Sequence, residues 1–343
     1  MSKSKAENNA KQPHQETGLF DSFQRQINYL RISVTDRCNL NCLYCSERLM
    51  SQLHRGEILS YEEIQHIVSI ATGMGISKVR ITGGEPLSRV HLNRLVRMLA
   101  KMKSIDDISL TTNGTLLSRY AIELKDAGLK RVNVSLDTLN EDRFWHITGA
   151  NKFKEVLSGI EAAHLAGLEP VKINMVVMRG INDGETLDFA QMSIREGWHV
   201  RFIEFMPFGT PKAKDFDTVS TQEIRDRIQS LGELEPYTSK AGNGPAKYYR
   251  LPGAKGTIGF ISPMTEHFCS TCNRLRLTSN GQLRPCLLDD DEVNLKEPLR
   301  NGAGMAELKR LIQQAVAIKR ERHNLAGGLA SETVKRPMCQ IGG

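Results

Sequence analysis

From Tyr29 onward the chain alternates short apolar runs, rich in β-branched residues, with longer stretches of helical period. Six such runs fall at 30–34, 78–82, 107–112, 131–136, 171–177 and 200–205. Runs this short and apolar suit strands covered on both faces, as in a parallel sheet. The segments between them carry helix signals. Ser60 with Glu63 forms a capping-box pattern ahead of Ile64, Ile67, Val68 and Ala71. Leu92, Leu95, Val96 and Leu99 share one helical face, as do Val156, Leu157, Ile160 and Ala163. Gly128 and Gly167 stand where helix C-caps belong. With right-handed crossovers, this order predicts an α/β fold: an incomplete (β/α)6 TIM-like barrel, short of the eight units that close a TIM barrel. Chemistry in parallel sheets gathers at strand C-termini. Here those ends hold 35–36, 82–85, 111–114, 136–137 and Met206.

The pattern breaks at Pro207, Gly209 and Pro211. A capped helix at 220–229 and β-like pieces at 247–251 and 257–261 follow in a Gly- and Pro-rich stretch. The expected organisation is a flexible polar lead over 1–18, the partial barrel over 19–208, and a C-terminal α+β extension over 209–343 that closes the barrel mouth. The lead lacks the apolar stretch of a signal peptide, and no run is long and uncharged enough for a membrane span. A cytoplasmic protein with no membrane partner is expected. The net charge is +7, but the cations are scattered and aromatics make up only 6%. That argues against a nucleic-acid partner and leaves room for an anionic small molecule.

Seven cysteines cluster rather than spread, which favours metal binding over a disulfide framework. Cys38, Cys42 and Cys45 have the spacing C-x3-C-x2-C directly after the first predicted strand. Iron–sulfur clusters normally take four cysteines, so three would leave one iron open, like the vacancy of a catalytic zinc. The alternatives are a structural zinc completed by His54, or a ferredoxin-like carrier, which would need a fourth nearby cysteine. At the next strand end, Thr82-Gly83-Gly84-Glu85-Pro86 offers backbone that a ligand can approach and a carboxylate that can accept from a cation. An ordinary turn would look similar. Cys269, Cys272 and Cys286 form a second trio, C-x2-C-x13-C, whose zinc alternative would use His267. Arg274 and Arg276 beside it suit a phosphate or a nucleobase, or are exposed cations on a strand.

The first cysteine trio followed by Gly-Gly-Glu-Pro resembles the radical S-adenosylmethionine (SAM) superfamily. Further segments narrow the resemblance to the GTP 3′,8-cyclase family of molybdenum-cofactor synthesis. They include Leu30-Arg-Ile-Ser-Val-Thr-Asp-Arg-Cys38-Asn, Leu110-Thr-Thr-Asn-Gly114, Arg201-Phe-Ile-Glu-Phe-Met206, Phe268-Cys-Ser-Thr-Cys-Asn-Arg-Leu-Arg276 and Gly342-Gly343. The resemblance implies that Cys38, Cys42 and Cys45 hold a 4Fe–4S cluster whose open iron binds SAM. Tyr44, Gly84, Ser135 and Met206 are then the SAM contacts. It implies a second 4Fe–4S cluster on Cys269, Cys272 and Cys286, whose open iron meets the guanine of GTP. The implied GTP contacts are Arg31, Arg80, Thr111, Lys172, Arg274, Leu275 and Arg276, with the Gly342-Gly343 tail reaching into the site.

The implied lyase reaction uses a 5′-deoxyadenosyl radical to take the C3′ hydrogen of GTP, and C3′ then bonds to C8. The implied partners are a flavodoxin- or ferredoxin-type electron donor and cyclic pyranopterin monophosphate synthase, with a homodimer possible. The competing expectations are a radical SAM enzyme on another substrate, such as a peptide, and a non-enzymatic iron–sulfur carrier. Three features depart from the family pattern. Ser46-Glu47 replaces Met-Pro, Gln24 stands where a Gly is usual, and Cys339 is an extra thiol open to oxidation.

Overall fold

The computed structural model describes residues 18–45, 52–207, 216–239, 243–323 and 336–342. Most of the polar lead, the departure at Ser46-Glu47, and Gly343 therefore lie outside the described residues. Six βα units follow one another. Their strands are β1 (Tyr29–Ser33), β2 (Lys78–Thr82), β3 (Asp107–Thr112), β4 (Arg131–Ser135), β5 (Lys172–Val177) and β6 (His199–Glu204). Their helices are α1 (Tyr61–Thr72), α2 (Leu92–Ala100), α3 (Leu117–Asp126), α4 (Glu141–Thr148), α5 (Phe153–Leu165) and α6 (Thr186–Arg195). Both halves of the capping box form at α1: Ser60 Oγ accepts the Glu63 N–H, and Glu63 accepts the Ser60 N–H.

The rest of the chain adds α7 (Thr221–Ile228), β7 (Glu235–Tyr237), β8 (Lys247–Arg250), β9 (Thr257–Ile261), β10 (Arg274–Leu277), β11 (Gln282–Arg284) and β12 (Val293–Asn294). It ends with α8 (Lys296–Arg300), α9 (Met305–Ala317) and α10 (Met338–Ile341). The sequence predicts an extension distinct from the barrel. Its strands instead continue the same sheet, in the order β12-β11-β10-β1-β2-β3-β4-β5-β6-β9-β8-β7. β10 pairs parallel to β1, and β9 pairs parallel to β6. The six predicted parallel strands are thus flanked on each edge by one more, and antiparallel ribbons finish both edges. The core lies between sheet and helices. Leu30, Ile32, Val79, Ile81, Leu110, Val132 and Ile173 bury fully against Ile64, Val68, Leu95 and Val156. Each such side chain contributes about 1.5–3 kcal/mol.

The segment before β1 is tied across the fold. Arg25 pairs with Asp21 at 2.6 Å and donates to the carbonyls of Cys269 (2.7 Å), Arg320 (2.7 Å) and Glu321 (3.0 Å). Asp21 also accepts the N–H groups of Phe23 and Arg25, which closes a tight turn. That turn puts Gln24 at φ 61°, in the left-handed region where a Cβ is disfavoured. The preference for Gly at this position has a backbone cause. Gln24 is exposed and holds no partner of its own in the turn apart from its backbone N–H on Asp21 O. Gln24→Gly should stabilise the fold by about 0.5–1 kcal/mol, after the greater freedom of Gly in the unfolded chain is subtracted. Urea denaturation of the two proteins measures it.

Candidate active site

The first cysteine trio leaves the C-terminal end of β1. Val34 N–H bonds Thr82 O (3.0 Å), Gly84 N–H bonds Thr35 O (2.8 Å), and Glu85 N–H bonds Arg37 O (2.7 Å). These bonds zip the Gly-Gly-Glu-Pro loop onto the three residues before Cys38. A Cβ on Gly84 would lie 2.4 Å from Arg37 O, and one on Gly83 would lie 2.7 Å from Thr35 O. The two glycines are needed for this loop-on-loop packing, a role the sequence did not show beside the access for a ligand that it suggested. Glu85 also differs from expectation. It is fully buried and accepts from Leu87 N (2.9 Å), Thr112 Oγ1 (2.8 Å) and Asn113 N (2.7 Å). Its carboxylate braces the ends of β2 and β3 and is not presented to an incoming cation. Burial nonetheless pushes it up to about 7.

The braced Asn113 turns its side-chain amide to Cys38 Sγ (3.8 Å) and Asn39 Oδ1 (2.8 Å), and Leu40 N–H also points at Cys38 Sγ (3.4 Å). On the far side, Asn41 and Leu43 N–H groups bond the carbonyls of Thr148 and Ile147 at the end of α4. Tyr44 donates to Asp137 Oδ2 (2.7 Å), whose other oxygen accepts Val176 N–H. Burial pushes Asp137 up to about 6. Tyr44 also meets Phe205 edge-on at 6.5 Å, next to Met206. Tyr44, Gly84, Ser135 and Met206 are therefore brought to one end of the barrel, each after or at the end of a strand. Burial and the neighbouring charges of Asp137 and the other thiols push Cys42 and Cys45 up. A positively charged iron core would relieve both effects, and N–H donors to sulfur suit a cluster thiolate. The donor set fits the group. Cys339, on α10, packs here too. Burial, with Cys38 and Asp36 adding, pushes its thiol up to about 11.

The second trio lies at the opposite end. Cys269 and Cys272 immediately precede β10, and the Asn28 and Tyr29 N–H groups both reach Asn273 O at 3.2 Å. The five residues of β1, at roughly 3.3 Å each, run about 16 Å between the loop that carries the first trio and the segment that carries Cys269 and Cys272. Arg274 points at Cys272 Sγ (3.6 Å), and Lys319 donates to the carbonyls of Arg274 (3.1 Å) and Pro285 (2.5 Å). Burial alone would raise Cys272, but Arg274 and Lys319 outweigh it and bring the thiol down to about 6. Cys286 accepts Leu288 N–H at 3.4 Å. His267, the zinc candidate here, bonds Pro263 O at 2.8 Å and stands edge-on to His323. His54, the other candidate, caps the turn Arg55–Glu57. Among the described residues, no three His, Cys, Asp or Glu side chains converge as a single metal ion requires.

Cations line the lumen between the two ends. Register sets Arg276, Arg31 and Arg80 side by side across β10, β1 and β2. Thr111, Asn133 and Lys172 form the matching row across β3, β4 and β5. Burial, with neighbouring cations adding, holds Arg31 well below its ordinary value. Burial likewise brings Arg80 and Arg276 to about 10 and Lys172 to about 8. Leu275 alternates to the other face and sits in the hydrophobic core, so its side chain is not beside Arg274 and Arg276 in the lumen. Arg276 Nη1 donates to Gly342 O at 2.7 Å. Gly342 has φ 68°, and a Cβ on it would lie 2.2 Å from Thr82 Oγ1.

Two family descriptions cover the chain in succession: Radical SAM superfamily over 32–192 and Molybdenum Cofactor Synthesis C over 198–325. A GTP 3′,8-cyclase of Moorella thermoacetica is 51% identical over 324 residues, 94% of this chain and 99% of the relative. Another, of Pelotomaculum thermopropionicum, is 52% identical over 326 residues with the same coverage. The chain belongs to the GTP 3′,8-cyclase family. As a radical SAM enzyme family, it uses a 4Fe–4S cluster and SAM. Among solved structures, Streptococcus suis SuiB bound to precursor peptide SuiA aligns with a TM-score of 0.64 at 15% identity. That alignment covers 92% of this chain and 76% of SuiB, and it shows the shared fold.

Within this GTP 3′,8-cyclase family member, sequence reasoning passed over Asn113, Asp137 and Lys319. The first two lie in strand-end segments, and that position was their available signal. Lys319 follows α9, far from either cysteine motif, and carries none. Two outcomes are expected. Gly84→Ala should lose the iron of the first site, because backbone oxygens cannot give way; iron and sulfide analysis after anaerobic reconstitution checks it. Glu85 has a folded pKa of about 7 against 4.5 when unfolded, so its protonated form stabilises the fold below 4.5 and that contribution fades as pH rises through 7. The stability of the wild type relative to Glu85→Gln should therefore fall over this interval in denaturation midpoints.

Proposed function

We propose that this chain converts GTP to (8S)-3′,8-cyclo-7,8-dihydroguanosine 5′-triphosphate, the first step of molybdenum cofactor biosynthesis. One observation supports this reading: the two cysteine trios flank opposite ends of β1, and Arg276, Arg31 and Arg80 stand side by side across β10, β1 and β2 between them. Cys38, Cys42 and Cys45 would hold the first 4Fe–4S cluster, with SAM against Tyr44, Gly84, Ser135 and Met206. Cys269, Cys272 and Cys286 would hold a second 4Fe–4S cluster facing the guanine. When bound, the first cluster and SAM supply the one-electron chemistry that removes the C3′ hydrogen. The chain's own residues orient the substrate for it. Arg31, Arg80, Arg274 and Arg276, with Lys172 and Thr111, would grip GTP, and Leu275 would contribute through its backbone alone. Holding C3′ and C8 in fixed proximity is the main service such a site renders.

The segment from 209 onward, and the Gly342-Gly343 tail, would close the lumen against water. An electron donor of flavodoxin or ferredoxin type and cyclic pyranopterin monophosphate synthase would act on either side of the reaction, with the enzyme in the cytoplasm, alone or as a homodimer. No helix among the described residues is long and apolar enough to cross a membrane.

The test is anaerobic reconstitution followed by SAM, dithionite and GTP. Appearance of 5′-deoxyadenosine together with a cyclised GTP supports the reading. SAM cleavage without GTP consumption points to another substrate, such as a peptide; no cleavage at all with both sites loaded points to an electron carrier. In the same assay, Gly342→Ala and removal of Gly342-Gly343 should each keep the iron content and abolish the cyclised product. The former fails because an added Cβ collides with Thr82.

A further inference from the structure

Lys319 is only 3% exposed, although lysine is among the residues least often buried without a charge partner. Its helix fixes where it stands. Leu308, Leu311, Ile312, Ala315 and Val316 seat α9 in the core, and the Lys319 N–H closes the last turn on Val316 O at 3.1 Å. Among the described residues the ammonium forms no ion pair. Its hydrogen bonds go to two carbonyls, Arg274 O (3.1 Å) and Pro285 O (2.5 Å). A buried ammonium without a carboxylate is costly, so another negative group is called for beside it.

The two carbonyls lie at the mouth of one hairpin. β10 and β11 pair antiparallel, with Arg276 opposite Arg284 and Leu277 opposite Leu283. Carried two residues further, that register would set Arg274 opposite Cys286. The ladder stops short of it, because Pro285 has no N–H to donate. The Lys319 ammonium bridges the two strands there instead, and its three donors can satisfy both carbonyls. Pro285 immediately precedes Cys286, and Arg274 follows Cys272 by two residues. The third thiol is tied to the same place. Arg25 donates to Cys269 O (2.7 Å) and to the carbonyls of Arg320 (2.7 Å) and Glu321 (3.0 Å), the residues that follow Lys319. The segment 319–321 is thus tied toward each cysteine of the second trio.

We infer that Lys319 is a positioning residue for the second trio: its ammonium holds the mouth of the β10–β11 hairpin, sets Cys272 against Cys286, and keeps a fixed positive charge beside their thiolates. The inference rests on the reading that this trio holds a 4Fe–4S cluster. The residues present fit that group. Three thiolates bring negative charge into a half-buried site, and a buried cation with no carboxylate of its own is their counterpart. One-electron reduction makes such a cluster more negative. A positive charge fixed nearby favours the reduced form and raises the reduction potential.

The test uses the full chain carrying Cys38→Ser, Cys42→Ser and Cys45→Ser, reconstituted without oxygen, so that iron reports the second trio alone. In this parent, Lys319→Met should release iron to the ferrous chelator bathophenanthroline about tenfold faster, the scale on which outer partners of metal ligands act. Its reduction potential, followed by electron paramagnetic resonance with dithionite supplying the electron, should fall. Lys319→Arg, which keeps the charge and the donors, should restore the potential. Lys319→Gln, which keeps a donor and loses the charge, should show the lowered potential, and it decides the matter if Lys319→Met does not fold. A potential unchanged in Lys319→Met or Lys319→Gln, or lowered as far in Lys319→Arg as in Lys319→Met, overturns the inference. A parent that binds no iron and sulfide overturns the second-cluster reading and the inference with it. A parent that binds both, with a potential indifferent to the side chain at 319, overturns the inference alone.

Discussion

β1 pairs with β2 on one side and with β10 on the other, both parallel, and these two ladders decide where every thiol lies. The strand delivers Cys38 from one end and takes its place beside Cys272 at the other. A slip of one residue between β1 and β10 would turn Arg276 out of the lumen and Leu275 into it, because strand side chains alternate faces. The register is guarded from outside the sheet. Arg25 reaches the carbonyls of Cys269, Arg320 and Glu321, which fixes the segment entering β1 against the one entering β10. A pairing between such distant parts of a chain closes a long loop, and ties of this sort offset part of its entropy.

The two ends that β1 separates differ in charge. Glu85, Asp137 and Asp36 are buried near the first trio, and burial pushes the first two up to about 7 and about 6. Arg31, Arg80 and Arg276, with Lys172 and Arg201, crowd the lumen toward the second trio and an adjoining cavity. A polyanion is drawn to the cationic region and kept from the carboxyl groups near Cys38. The chain's net charge of +7 thus matters less than its placement.

Much of this was legible in the sequence, and for definite reasons. All six barrel strands lie within one residue of their predicted ends, because strands buried on both faces leave continuous β-branched runs. Ser60 and Ser220 announce α1 and α7 through local capping chemistry. What was hidden depends on distant partners. Nothing near β10 or β9 says that each joins an edge of the barrel sheet. The glycines were visible, but not their reasons. Gly84 faces a backbone oxygen, and Gly259 faces two side chains from neighbouring strands. Gln24 is the converse case, a local departure whose meaning appears only with its φ of 61°.

The tail draws on both ends at once. Cys339 lies among the first trio's charges, and Ile341 packs with Leu288, Met206 and Cys286. The carbonyl of Gly342 meets Arg276. Each of these contacts needs its own loop already in place. Seating the tail therefore requires both cysteine loops and the β1–β10 register together. It is the element whose position reports on whether the whole lumen has formed, and Arg276 cannot hold both the Gly342 carbonyl and a misregistered β10.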